Sequence, residues 1–201
     1  MQREISAKPN AKYKMNFIIR ILIASDFVIW SSVNMVTAVF ALFIVDDLGG
    51  NIETVGVAAM IYFAVKVLAE IPIGYLIDRN KSEQDDLRAV IWGAVVTAFV
   101  YLFYPLIDSI MQLYLLQVVA GIGAALSFPA WYSIFTRHVD KRKAGFEWSF
   151  YDVLLGLGIA GAATLGAFLI EFAGFDVVFY LIGILVLLGT LPLLFIRNKI
   201  L

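Results

Sequence analysis

Residues 72–88 read PIGYLIDRNKSEQDDLR, a short charged segment between two long apolar runs at about 55–77 and 88–107. A helix of about 20 mainly apolar residues is long enough to cross the hydrocarbon core of a bilayer. Four further runs of this kind lie at about 16–45, 110–139, 148–173 and 176–196. The pattern predicts an all-α membrane protein with six transmembrane helices, spans 1–6, in a single domain over residues 1–201.

The composition supports a membrane protein. Of the 201 residues, 62% are hydrophobic and 15% are charged, whereas soluble domains average about 45–50% and about 25%. A net charge of −1 does not indicate a nucleic-acid partner. With no cysteine, one histidine and no zinc-protease, serine-hydrolase or phosphate-loop motif, we expect neither an enzyme nor a cofactor or metal site.

The cations are distributed unequally between the two sides. Every lysine and arginine except Lys66 lies at the termini or in the loops of one side, whereas the loops near 46–54, 108–109 and 171–176 hold only acidic charges. The positive-inside rule then places both termini in the cytoplasm, in a multi-pass protein of the inner (plasma) membrane. Four of these cations lie before span 1 or between spans 2 and 3, namely Arg3, Lys8, Lys12 and Lys81.

Three charges fall inside the spans. Asp26 shares a helical stripe with Trp30 and Asn34 in span 1, and Lys66 and Glu70 form an i, i+4 pair in span 2. At 1.5 Å per residue, Asp26 and Lys66 lie roughly 15 and roughly 16 Å from the inner ends of their spans, so they can meet at mid-membrane. Intramembrane charges cost about 2.5–3.5 kcal/mol each and usually face a bundle interior or a cavity. The three groups form either a structural ion-pair cluster or a site at which a carboxylate binds substrate or a proton.

Spans 4 and 5 carry one patterned face each. In span 4, Gln117, Phe128 and Trp131 lie on a polar-to-aromatic strip that either lines a cavity for an amphipathic or aromatic molecule or packs against a neighbouring helix. In span 5, small residues recur every four positions, a spacing that permits close helix contact in lipid, at Gly158, Ala162 and Gly166.

The loop after span 2 resembles a family signature. Gly74, Asp78 and Arg79, followed by Arg88, resemble the G-x-x-x-D-R loop of the major facilitator superfamily. The segments 117–130 and 166–179 resemble the fourth and fifth helices of the same family. The resemblance implies a transporter fold of two six-helix halves with the substrate site between them near the midplane. Helices 1 and 4 would line the path, and helices 2 and 5 would flank the seam between the halves.

The resemblance assigns roles to individual residues. The substrate or proton path would comprise Asp26, Trp30, Asn34, Lys66, Glu70, Gln117, Phe128 and Trp131. The loop that switches conformation would comprise Gly74, Asp78, Arg79 and Arg88. Two departures limit the assignment. Gln117 stands where the family often has an arginine, so the proton-linked role of that arginine does not carry over. Ala162 and Ala163 stand where antiporters usually have Gly-Pro, which argues against drug/proton antiport.

The sequence covers one such half. We therefore expect a half-size secondary transporter that pairs with a second copy of itself as a parallel homodimer. It would move a small-molecule substrate across the lipid bilayer by alternating access, with proton coupling through Asp26 or Glu70 as an option. Two alternatives are a heterodimer with another six-helix half and a non-transporting scaffold or regulatory subunit of the same fold.

Overall fold

A computed structural model describes residues 14–79 and 82–200 of the chain. Four of the cations in the predicted charge asymmetry lie outside these residues, namely Arg3, Lys8, Lys12 and Lys81. Within the described part there are six long helices. The first four are α1 (Phe17–Thr37), α2 (Ile52–Arg79), α3 (Glu83–Phe103) and α4 (Ile110–His138).

The last two helices are joined without a loop. Ala144–Leu194 is helical throughout except at Gly174, whose φ of 81° and ψ of 171° break the helix. A positive φ is readily adopted only by glycine, so this residue permits the reversal between α5 (144–173) and α6 (175–194). Consistently, α6 begins beside Phe43 at the far end of α1 and ends beside Ile19 at its start.

The prediction of an all-α membrane fold is confirmed, and the helices are long and apolar enough to cross a bilayer. The structure shifts some boundaries. Span 1, predicted over 16–45, is interrupted at Ala38 and Val39 and continues as the short segments Phe40–Leu42 and Phe43–Asp47. Helices α3 and α5 begin at Glu83 and Ala144, before the predicted 88 and 148. The first turn of α3 is acidic, and that of α5 contains Glu147 and follows three cations at 141–143, so hydropathy overlooks both turns.

The helices form a curved row. Helix α2 packs on α4, α4 on α3, α3 on α6, α6 on α1, and α1 on α5. Helices α2 and α5 therefore stand at the two ends of the row, and α1 and α4 are each one place in from an end. Since α1 and α4 make few contacts with each other, a space is left between them on the concave side.

Small residues bring α1 close to its neighbours. A Cβ on Gly166 of α5 would collide with the backbone of Met35, and one on Gly158 would collide with Ser31 and Phe27. On the α6 side, Ser25 Oγ donates a hydrogen bond of 2.6 Å to the carbonyl of Gly189. The predicted small-residue stripe of span 5 is thus the surface that packs on α1.

Two apolar clusters hold the ends of the bundle. One surrounds Ile19, Ile134 and Phe135 near the start of α1. The other is aromatic and centres on Phe179, whose ring lies 4.8 Å from Phe43 and 4.9 Å from Tyr104. The space between α1 and α4 lies between these clusters, because its walls include members of both.

Candidate functional site

The space between the helices is a cavity of about 510 Å³. Its walls come mainly from α1, α2, α3 and α4, with Tyr151 added from α5. All but one of the residues predicted for the path line it, namely Asp26, Trp30, Asn34, Lys66, Gln117, Phe128 and Trp131. The remaining one, Glu70, is joined to this wall through Lys66.

Asp26 supplies a buried carboxylate to the α1 wall. The residue is 8% exposed, and Tyr151 Oη donates a hydrogen bond of 2.5 Å to its Oδ2. Among residues 14–79 and 82–200, no lysine, arginine or histidine nitrogen lies within 4.0 Å of this carboxylate. The predicted cluster of three charges therefore does not form an ion pair at Asp26, whose nearest donor is a neutral phenol.

The charge pair of α2 is compensated within its own helix. Lys66 Nζ lies 2.7 Å from Glu70 Oε2, as the i, i+4 spacing predicts. The same ammonium lies 4.4 Å from the ring centroid of Phe128 on α4, a distance at which the ring quadrupole attracts a cation. Lys66 therefore links α2 to α4 and keeps its positive charge at the edge of the cavity.

Aromatic rings cover much of the cavity wall. The ring of Trp30 on α1 lies 5.3 Å from that of Phe128, which lies 6.3 Å from Tyr132. Trp131 lies 4.8 Å from Tyr151, the partner of Asp26. These separations are typical of attractive ring contacts, so the strip both packs the helices and presents ring faces to the cavity.

Polar amides occupy the part of the cavity that lies away from Asp26. Gln117 is buried, and its Nε2 donates a hydrogen bond of 3.3 Å to Tyr104 Oη. Asn34 Nδ2 donates to the carbonyl of Trp30 in its own helix at 2.8 Å. Both amides are thus held in place by neighbours while they line the cavity.

The signature loop lies apart from this cavity. Gly74 and Asp78 line a surface hollow against the end of α4, which also includes Pro129 and Arg137. Arg79 is exposed, and Arg88 pairs with Asp85 at 2.7 Å on the surface. The structure therefore places two of the four loop residues against α4 and the two arginines outside the hollow.

Residues 22–200 match the Major Facilitator Superfamily. The chain belongs to this superfamily. It is also similar in structure to the POT family transporter PepTSo, as seen in an in meso crystal structure, with a TM-score of 0.78 and 17% sequence identity. The match covers 94% of this chain and 39% of that chain, so the chain spans well under half of the transporter. No curated protein matches the sequence.

Membership of the superfamily confirms the resemblance drawn from the signature loop and from spans 4 to 6. The chain is therefore a multi-pass membrane protein with a transporter fold. Its cavity is lined mainly by the first four helices, including α1 and α4.

Two features of this superfamily member were missed in the sequence. Tyr151, the partner of Asp26, lies seven residues before Gly158 and thus on the stripe that faces α1; extending the small-residue stripe by two turns would have found it. The second feature is an ion network between α3 and α4. There Asp86 accepts hydrogen bonds from Arg137 Nη1 at 2.9 Å and Ser133 Oγ at 3.1 Å.

The network continues to the ends of both helices. Arg137 Nη1 also lies 3.8 Å from Glu83 Oε1, and His138 Nε2 lies 3.0 Å from Glu83 Oε2. In the sequence, these residues read only as the acidic first turn of one span and the basic last turn of another. Their pairing depends on how α3 and α4 pack, for which the sequence holds no local signal.

Proposed function

We propose that the chain forms one six-helix half of a secondary transporter and moves a small solute by alternating access through the cavity between α1 and α4. The observation that carries this proposal is the cavity itself. Seven of the eight predicted path residues line it. A cavity with a buried carboxylate and aromatic faces is the kind of site at which transporters of this fold hold their solute.

The proposal includes a second six-helix unit. The side chains of Lys66 and Glu70 are 18% and 31% exposed, and charged groups in contact with hydrocarbon are costly. Along the whole of α2, only Thr54, Ala58 and Ile77 are buried. A second unit placed over this side would shield the charges and close the cavity, and a second copy related by a twofold axis is the simplest such unit.

The signature loop would act at the contact between the two units. Asp78 is exposed at the end of α2 and would approach the start of the other unit's α5, near Trp148 and Ser149. The positive end of this helix, which begins at Ala144, favours a carboxylate beside its first turn. Formation and loss of this contact would bias the inward-closed state against the inward-open state as one unit rocks against the other.

A proton could be carried by either of two carboxylates. Protonation of Glu70 would cost its ion pair with Lys66, whereas Asp26 has a neutral hydrogen-bond donor as its partner. We therefore place proton coupling, if the transporter uses it, at Asp26. In proteoliposomes, Asp26→Asn should abolish the dependence of flux on the pH gradient, measured at solute concentrations high enough to restore flux, and Glu70→Gln should retain it. Unchanged coupling in Asp26→Asn would contradict this assignment.

Alternating access can be tested before the solute is known. The chain has no cysteine, so a single Thr97→Cys variant places one thiol on the cavity wall. We expect a membrane-impermeant thiol reagent to label it from either face, in right-side-out and in inverted vesicles. Trp92→Cys, on the exposed side of the same helix, should face lipid and resist labelling from both faces.

The outcomes separate transport from its alternatives. Labelling of Thr97→Cys from one face only would contradict alternating access. Absence of labelling from both faces would contradict it too and would favour the scaffold alternative. A leak of ions through the reconstituted protein together with labelling from both faces would indicate a continuous pore.

A further inference from the structure

The two charged residues that line the cavity, Asp26 and Lys66, do not pair with each other. The ammonium of Lys66 already has two partners, the carboxylate of Glu70 at 2.7 Å and the ring of Phe128 at 4.4 Å from its centroid. Asp26 has no cation within 4.0 Å among the described residues, and its partner is the neutral hydroxyl of Tyr151. An anionic solute would therefore compete with Glu70 for the single ammonium, whereas a cationic solute would find a buried carboxylate that still lacks a counter-charge.

The aromatic wall reinforces this preference. Aromatic faces attract cations, most strongly where water is excluded. The contact between Lys66 and Phe128 shows that this wall already holds one cation against a ring. Beside that contact, the ring of Trp30 lies tilted 5.3 Å from that of Phe128, and Trp30 also lines the cavity with Asp26. A cavity of about 510 Å³ has room for a drug-sized organic molecule.

We propose that the solute of this cavity is a monovalent organic cation with an apolar or aromatic body. Asp26 would contact the charge, and Trp30, Phe128 and Trp131 would contact the body. The inference rests on the proposed transport function, because it takes the cavity as the solute site. It concerns what is bound and not the direction of movement. It therefore also holds for a carrier that exchanges no proton, which is the kind of carrier that Ala162 and Ala163 favour.

Two ions of the same shape and opposite charge test the inference. Tetraphenylphosphonium and tetraphenylborate can be measured by equilibrium dialysis against the full chain in nanodiscs, with empty nanodiscs subtracted. We expect saturable binding of the cation at least about tenfold tighter than that of the anion, since a desolvated charge pair discriminates by this much or more. Equal or tighter saturable binding of the anion would overturn the inference.

Variants assign the preference to Asp26. Asp26→Asn, which removes the charge at nearly constant shape, should weaken binding of the cation by about tenfold or more. Asp108→Asn removes one carboxylate from an exposed loop outside the cavity and should leave binding unchanged. Tyr151→Phe keeps the carboxylate and removes its hydroxyl partner, so cation binding should persist. Undiminished binding in Asp26→Asn would overturn the role of the carboxylate.

The dialysis tests the solute class, and the cysteine labelling tests alternating access, so each claim can be wrong without the other. If Thr97→Cys is labelled from both faces but tetraphenylphosphonium shows no preference over the anion, transport stands and the cationic solute class is wrong. If the cation binds through Asp26 while Thr97→Cys is labelled from one face only, the cation site stands and alternating access is wrong.

Discussion

Asp86 shows how much one buried charge depends on one partner. The residue is 1% exposed, and Arg137 Nη1 contacts its carboxylate at 2.9 Å. Removal of one member of a buried ion pair leaves the other uncompensated. Since Arg137 is one-third exposed and water screens part of the interaction, we expect Arg137→Gln to lower the free energy of unfolding by about 2 kcal/mol. Unfolding by sodium dodecyl sulfate titration of the purified protein measures this change.

A rescue variant and a surface pair distinguish loss of this charge compensation from a general disturbance. Asp86→Asn added to Arg137→Gln should recover part of the loss, because no uncompensated charge is then buried. Arg88 pairs with Asp85 at 2.7 Å, a distance similar to the 2.9 Å between Arg137 and Asp86, but the Arg88 pair lies on the surface. Arg88→Gln should change stability by less than about 0.5 kcal/mol. Equal losses in the two arginine variants would show that burial of Asp86 does not govern the effect.

At the scale of helices, α1 and α5 depend on the absence of a side chain at one position. A Cβ on Gly166 would collide with the backbone of Met35, whereas a Cβ on Gly161, five residues earlier on α5, would meet no atom within 4 Å. We expect Gly166→Ala to lower the free energy of unfolding by about 1–3 kcal/mol, because α1 and α5 must move apart. Gly161→Ala should be neutral or slightly stabilising, since alanine favours the helix more than glycine does.

The same helices show which features a sequence can predict. The bilayer requires long apolar runs, and the 3.6-residue period places Asp26, Trp30 and Asn34 on one face, so helix number and the polar stripe follow from local pattern. The pair of Lys66 and Glu70 is likewise local. The partner of Asp26, by contrast, lies 125 residues away. Its identity depends on the packing of α5 against α1, which no single segment determines. The sequence therefore could not show that Asp26 contacts a phenol and not the ammonium of Lys66.

Some predicted helix boundaries were wrong for a related reason. Hydropathy measures preference for lipid, but α3 begins with Glu83, Asp85 and Asp86, which favour a helix start through the helix dipole and not through lipid. The interruption of span 1 at Ala38 and Val39 has no hydropathy signal either, since both residues are apolar.

At the scale of the whole molecule, the curved row of helices leaves α2 and α5 as its two free ends. Leu68 on α2 is 77% exposed and Leu157 on α5 is 68% exposed. In a parallel dimer about a twofold axis, α2 of one copy would lie beside α5 of the other, as the two ends of each row meet. Within one copy these helices are at opposite ends of the row, so a link between them can form only between copies.

Cross-linking in lipid tests this arrangement directly. Two differently tagged copies, one with Leu68→Cys and one with Leu157→Cys, should give a dimer band with a short bismaleimide. The two positions lie at similar depth, roughly 16 Å from the Arg79 end of α2 and roughly 20 Å from the Ala144 end of α5. Trp92→Cys, at roughly 14 Å on α3, provides the matched control, because α3 lies in the middle of the row and its exposed side should face lipid. A dimer band of equal intensity with Trp92→Cys would indicate random encounter between copies. Absence of the Leu68 to Leu157 band would contradict the homodimer and would favour pairing with a different six-helix unit.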